Sequence, residues 1–145
     1  MMASIKGRSS INALVKLQES LGKLSESERH RWNVETVNEL AARLLRKVKR
    51  RTLDGVYAKG TDKTGGTLRR GWTVGCVEKH GQVCTVEIFN PVYYAPYVEF
   101  GHRTANHKGW VDGRFMLTTS ELELQKDAPR IMANKLNSFI GGALS

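Results

Sequence analysis

Between Ser10 and Leu24 the apolar positions Ile11, Leu14, Val15, Leu17, Leu21 and Leu24 recur at three- to four-residue steps, the period that gives a helix one buried face. A first helix is predicted over 10–24. Ser25 and Glu28 then have the spacing of a capping box, in which a hydroxyl and a carboxylate satisfy main-chain N–H groups at a helix start. A second helix is predicted over 26–51, with Trp32, Val37, Leu40, Ala41, Leu44, Leu45 and Val48 on its apolar stripe. Its later turns carry Arg43, Arg46, Lys47, Lys49, Arg50 and Arg51, where cations oppose the negative end of the helix dipole.

The period fails after Thr52, and residues 53–66, with Gly55, Gly60, Gly65 and Gly66, read as a long Gly-rich arm. Alternation returns at Trp72, Val74 and Cys76, and the run Val83 to Phe89 is rich in β-branched residues, so a β-hairpin is predicted over 71–90 with its turn near His80 and Gly81. Provided the register holds, Trp72, Val74 and Cys76 share a core face with Cys84, Val86 and Ile88. Asn90 and Pro91 end the strand. Pro96 suits the start of a short helix or turn over 93–100, with Gly101 as its left-handed terminator. Tyr93, Tyr94, Tyr97 and Phe100, at helical spacing, read mainly as half core, with an aromatic interface patch as the alternative. Residues 101–113 read as a polar loop carrying Trp110 and Val111, a candidate contact surface. Ser120 and Glu123 have capping-box spacing, and Leu124, Ala128, Ile131, Met132, Leu136, Phe139 and Ile140 form a last stripe, predicting a helix over 118–140. Pro129 predicts a kink or an early break in it and Gly141 with Gly142 its end. Together the elements predict one α+β domain over 1–145: an antiparallel β-sheet built on a hairpin, packed against long N-terminal and C-terminal helices, with a long Gly-rich arm.

Composition narrows this only partly. With 40% hydrophobic and 26% charged residues the 145-residue chain has the balance of a globular protein. No apolar run reaches membrane-spanning length, and no secretion signal is expected at the N-terminus, so folding in a cytoplasm away from membranes is expected. Cys76 and Cys84 are too few for a disulfide framework and read as reduced. The excess of 23 Lys and Arg over 14 Asp and Glu gives a net charge of +9, which favours an acidic partner, nucleic acid or protein.

Candidate chemistry is sparse. His102 and His107 stand in a loop with no carboxylate or thiol at metal-ligand spacing, and Gly65 to Arg70 lacks the ending of a phosphate-binding loop. Glu99 and Asp112 are the only pair to consider for acid–base work, and nothing in the sequence sets their separation. No catalytic residue, metal or cofactor is predicted. Glu99 lies between Arg69, Arg70 and Arg103 in sequence, so it is either paired with one of them or a solvated carboxylate.

Three blocks, Thr64-Gly-Gly-Thr-Leu-Arg-Arg-Gly-Trp72, Asn90-Pro-Val-Tyr-Tyr-Ala-Pro-Tyr-Val-Glu-Phe-Gly-His102 and Gly109-Trp-Val-Asp-Gly-Arg-Phe-Met-Leu117, together resemble the tail-component family of tailed bacteriophages and related prophages. The resemblance runs from about Thr64 to the C-terminus. It implies a non-enzymatic virion subunit of the neck, connector or collar region that completes tails or joins head to tail. It further implies a homo-oligomeric ring, six-fold by analogy with tail terminators, against neighbouring neck, connector or tail-tube proteins, with DNA in the channel as a further partner. Assembly would take place in the bacterial host's cytoplasm.

A ring subunit needs two different surfaces, because cyclic contacts join unlike patches of one chain. The candidates for subunit contact are Tyr57, Leu68, Arg69, Arg70, Tyr97, Glu99, Arg103, Trp110 and Arg114. Arg43, Arg46, Lys47, Lys49, Arg50 and Arg51 form a candidate basic patch, which supports the rival reading of a stand-alone nucleic-acid-binding protein.

Overall fold

A computed structural model describes residues 2–4, 15, 18–52 and 66–143. In chain order the elements are strand β1 (Met2–Ser4), helix α1 (Glu26–Arg51), short helix α2 (Thr67–Gly71), strands β2 (Thr73–Val74), β3 (Glu78–His80), β4 (Val83–Thr85) and β5 (Glu87–Phe89), short helix α3 (Ala95–Phe100), strands β6 (Gly101–Arg103) and β7 (Trp110–Asp112), and helix α4 (Met116–Ala143). The α+β reading is correct. Of the predicted first helix only parts are described, with residues 18–21 helical, and the arm over 53–66 lies, apart from Gly66, outside the described residues.

Helix α1 matches its predicted limits. The Ser25 hydroxyl accepts from the Glu28 N–H at 3.2 Å and donates to the Glu28 carboxylate at 2.8 Å. At the far end the Thr52 N–H donates to Val48 O, and its hydroxyl donates to the same carbonyl at 2.7 Å while accepting from Trp72 Nε1 at 2.8 Å. That indole bond ties the end of α1 to the start of the sheet.

Helices α1 and α4 pack as an antiparallel pair: Arg31 lies over the Phe139 ring, Lys135 meets Glu39, and Lys47 and Arg51 meet Glu123. Between them Leu40, Leu44, Val48, Leu124, Ala128 and Ile131 join Trp72, Val86, Ile88 and Met116 in the main core, and Trp32, Leu136 and Phe139 form a second cluster. Each fully buried Leu or Ile in such a core contributes about 2 kcal/mol of transfer free energy. This explains why α4 runs unbroken through Pro129 to Ala143, past both the predicted break and Gly141 and Gly142. The missing N–H costs about 3 kcal/mol, less than the apolar face on either side of it gains by staying on α1.

The hairpin over 71–90 exists in outline but changes register partway. Thr73 faces Phe89 and Val74 faces Ile88, whereas Glu78 faces Thr85 and His80 faces Val83, a slip of one residue across 75–77. A one-residue slip turns side chains to the opposite face. Trp72, Val86 and Ile88 are therefore buried as predicted, while Cys76 is exposed and Cys84 half-buried. Strand β1, which no sequence pattern announced, pairs antiparallel with β5 and completes a three-stranded sheet in the order β1-β5-β2. The predicted loop over 101–113 is in fact a second hairpin, β6 paired antiparallel with β7.

Candidate functional site

The most constrained corner of the molecule is where α3, the β6–β7 hairpin and the start of α4 meet. A helix opens with N–H groups that have no partner in its own first turn, and α4 has no serine or aspartate beside its start to supply one. Glu99, the next-to-last residue of α3, does so instead. Its Oε2 accepts from the Leu117 N–H at 3.0 Å, and its Oε1 accepts from both the N–H and the hydroxyl of Thr118 at 2.8 Å. The side chain is fully buried, and the positive end of the helix dipole faces its charge. Of the two readings for Glu99, the solvated surface carboxylate is thus overturned by its burial, and its carboxylate serves as this cap.

The predicted cap pair at Ser120 and Glu123 lies one turn inside the helix. The Ser120 hydroxyl donates to Met116 O at 2.6 Å and accepts from Arg51 at 3.1 Å. Near this corner, burial and then the negative charge of Glu99 hold the Glu121 carboxyl above the ordinary glutamate value. Two main-chain bonds reinforce the clamp, from Arg114 N–H to Val98 O at 2.8 Å and from Phe115 N–H to Glu99 O at 3.1 Å.

Backbone geometry at the corner is exacting. Gly101 has φ +91°, and a Cβ there would stand 2.5 Å from Val111 O and 2.9 Å from Trp110 Nε1, so only glycine fits under the hairpin. Phe115 has φ +47°, a left-handed conformation that costs a bulky L-residue on the order of 1–2 kcal/mol.

What this rigid corner displays is apolar. Tyr93 is 85% exposed, Trp110 59%, Tyr97 and Phe100 57% each, Val111 44% and Phe115 43%. The Phe100 and Phe115 rings meet edge-to-face with centroids 6.5 Å apart, and Tyr97 precedes Phe100 by one helical step. Trp110 Nε1 stands close to Gly101, the residue after Phe100, so the exposed Tyr97, Phe100, Phe115 and Trp110 sit on adjoining elements and form an aromatic shelf; Arg103 and Arg114 on the same stretch are exposed as well. The expectation that these aromatics serve mainly the core is thus overturned for Tyr93, Tyr97 and Phe100; Tyr94 alone is half-buried. Chain folding turns α3 so that Ala95 and Glu99 face inward, a choice that aromatic spacing could not reveal.

The remaining candidates are scattered. Leu68 is 8% exposed and belongs to the core, where Asn90 Nδ2 donates to its carbonyl at 2.7 Å; Arg69 and Arg70 are exposed on α2; Tyr57 lies outside the described residues. The basic run of α1 divides. Arg43 meets Glu39, and Lys47 and Arg51 converge on Glu123 across the helix pair, while Arg46 and Arg50 are exposed and Lys49 is half-exposed. Hydrogen bonds from Arg43 hold the Glu39 carboxyl below its ordinary range, helped by Lys135, and those from Arg51 and Lys47 do the same to Glu123. Asp112 is exposed on β7 and Glu99 is committed to the helix cap, and among the described residues no group of three or more His, Cys, Asp or Glu could hold a metal. No described helix is long and apolar enough to cross a membrane.

Residues 15–101, more than half of the chain, match the family described as "Bacteriophage HK97-gp10, putative tail-component". The chain belongs to this family and is a structural tail component of a bacteriophage. The matched stretch takes in α1, which the three sequence blocks did not include, and stops at Gly101, short of the Gly109 to Leu117 block. No curated protein and no solved structure matches the chain significantly.

Proposed function

We propose that the chain is a non-catalytic ring subunit of the neck or the top of the tail, in a tailed phage or a tail-like particle, where it completes the tail or joins it to the head. The aromatic shelf carries the reading. Monomers seldom leave this many large aromatics of adjoining elements in water, and here the shelf includes Phe115 in a strained conformation, which points to a role beyond stability. Tyr97 and Trp110, with the exposed Arg103 and Arg114 on the same stretch, have the aromatic and arginine content of interface anchors. In a closed ring this shelf would meet a different patch of the next copy, and a six-copy ring against connector or tail-tube proteins, around the DNA channel, fits the family. Such subunits would assemble in the host cytoplasm before incorporation into the virion.

A stand-alone nucleic-acid-binding role is less well supported, because three of the six cations in the basic run meet carboxylates of the same chain.

The test is the double variant Tyr97→Ser, Trp110→Ser. Both residues are exposed, so the isolated chain should keep its melting temperature. The wild-type chain is expected to form one closed oligomer by native mass spectrometry, and the variant to remain monomeric and to leave heads and tails unjoined in a complementation assay. A wild-type chain that stays monomeric at every concentration, or a variant that supports normal particles, would overturn the proposal.

A further inference from the structure

The far end of the helix pair holds a feature that the shelf does not use. A cleft of about 720 Å³ opens beside the first turns of α1, closed on one side by the β3–β4 hairpin and on another by Met132 of α4. Met132 is sixteen residues along α4 from Met116, so the cleft lies roughly 24 Å from the aromatic shelf at a helical rise of about 1.5 Å per residue.

Its wall is short of acceptors. Arg29 Nε, His30 Nδ1 and Trp32 Nε1 are all buried and have no hydrogen-bond partner, and all three residues line the cleft. Trp32 is 2% exposed, and its indole can only donate. A buried donor without a partner costs on the order of 1–3 kcal/mol, so the Arg29 and Trp32 N–H groups in one turn of one helix call for an outside acceptor, with the His30 ring nitrogen beside them able to donate or accept. The Trp72 indole shows the contrast, since it is equally buried but satisfied by Thr52. Charge agrees in sign: among the described residues Arg29 and Lys79 line the cleft against one acid, Glu26. Leu21, Met132 and the Trp32 ring add an apolar floor.

We infer that this cleft binds an acidic peptide segment of a neighbouring protein, with carboxylate and main-chain oxygens taking the Arg29, Trp32 and Lys79 donors and apolar side chains resting on Leu21 and Met132. A phosphate group fits less well, because a wall with two full cations and one acid is weakly charged and much of the surface is apolar. The site is separate from the shelf and gives the subunit a second contact of different chemistry.

The experiment titrates the isotopically labelled full chain with a capped six-residue peptide alternating glutamate and leucine, and follows the three indole N–H signals by NMR. The Trp32 signal should move downfield and saturate, while that of Trp72 should stay in place. Replacing the glutamates of the peptide by glutamine should weaken binding about tenfold, equivalent to about 1.4 kcal/mol. Lys79→Glu, on an exposed strand, should weaken it similarly with an unchanged melting temperature. The inference fails if Trp32 does not move when peptide binding saturates. It fails equally if the glutamine peptide binds as well, or if inorganic phosphate or an oligothymidine at the same concentration moves Trp32 as the peptide does.

Discussion

Glu99 and Thr118 are joined twice through one oxygen: Oε1 of Glu99 accepts both the main-chain N–H and the hydroxyl of Thr118, each at 2.8 Å. With Leu117 bonded to the other oxygen, truncation of Glu99 would leave two helix N–H groups buried or half-buried without an acceptor. Glu99→Ala should cost about 3 kcal/mol and Glu99→Gln about half as much, since an amide keeps one acceptor. Denaturant unfolding of the isolated chain measures both, and a loss under about 0.5 kcal/mol for the alanine variant would contradict the clamp.

Gly101→Ala should be as damaging for a different reason. A methyl group would collide with Val111 O and the Trp110 indole in a backbone conformation that already disfavours it, and a loss of about 3 kcal/mol or failure to fold is expected. Gly81→Ala makes the control: its φ is also positive, at +64°, but nothing lies within 4 Å of the added carbon, so only the conformational cost of about 1 kcal/mol should appear.

Thr36→Val should stabilise the chain. Thr36 is 2% exposed in α1 and its hydroxyl has no partner, so a methyl group of the same shape removes an unmet polar atom from the core. A gain of about 1 kcal/mol is expected in thermal or chemical denaturation; a loss would mean that the hydroxyl is bonded in solution.

Acid dependence should come from opposed carboxylates. Glu39 and Glu123 are held below the ordinary value of 4.5, so the stability they contribute is present above that pH and is lost as pH falls through their folded values. Glu121 is held above 4.5, so its contribution is present below that value and is lost as pH rises through its folded one. Glu121→Gln should therefore gain on the wild type as pH rises from 4.5 through the folded-state value of Glu121, whereas Glu123→Gln should close its deficit as pH falls. Melting temperatures across pH 3–8 check both signs.

Much of the fold was legible because local chemistry decided it. The Ser25 and Glu28 spacing and the stripe from Trp32 to Val48 fix α1 at the residues observed, since cap and stripe agree there. The same cap spacing misled at Ser120 because the true cap of α4 comes from Glu99, eighteen residues upstream, and no local pattern encodes a partner at that distance. The hairpin was legible, but the slip across 75–77 was not, because β-branched alternation specifies a strand without specifying its pairing. Of the candidate site, Trp110, Tyr97, Glu99, Arg103 and Arg114 were singled out from sequence and come together at one corner. What the residues alone could not show was which side of α3 turns inward, a choice made by burying Glu99 rather than the aromatics. Phe100 and Phe115 carry the remaining signal, an aromatic on either side of a hairpin with glycines at its two ends, Gly101 and Gly113.

The Glu99 clamp also sets an order of events. The carboxylate that caps α4 leaves the ribosome before the helix it caps, and it can reach Leu117 and Thr118 only once the intervening β6–β7 hairpin has closed. Until then the shelf has no fixed shape. The amides of Leu117 and Thr118 should therefore exchange with solvent as slowly as those at the centre of α4.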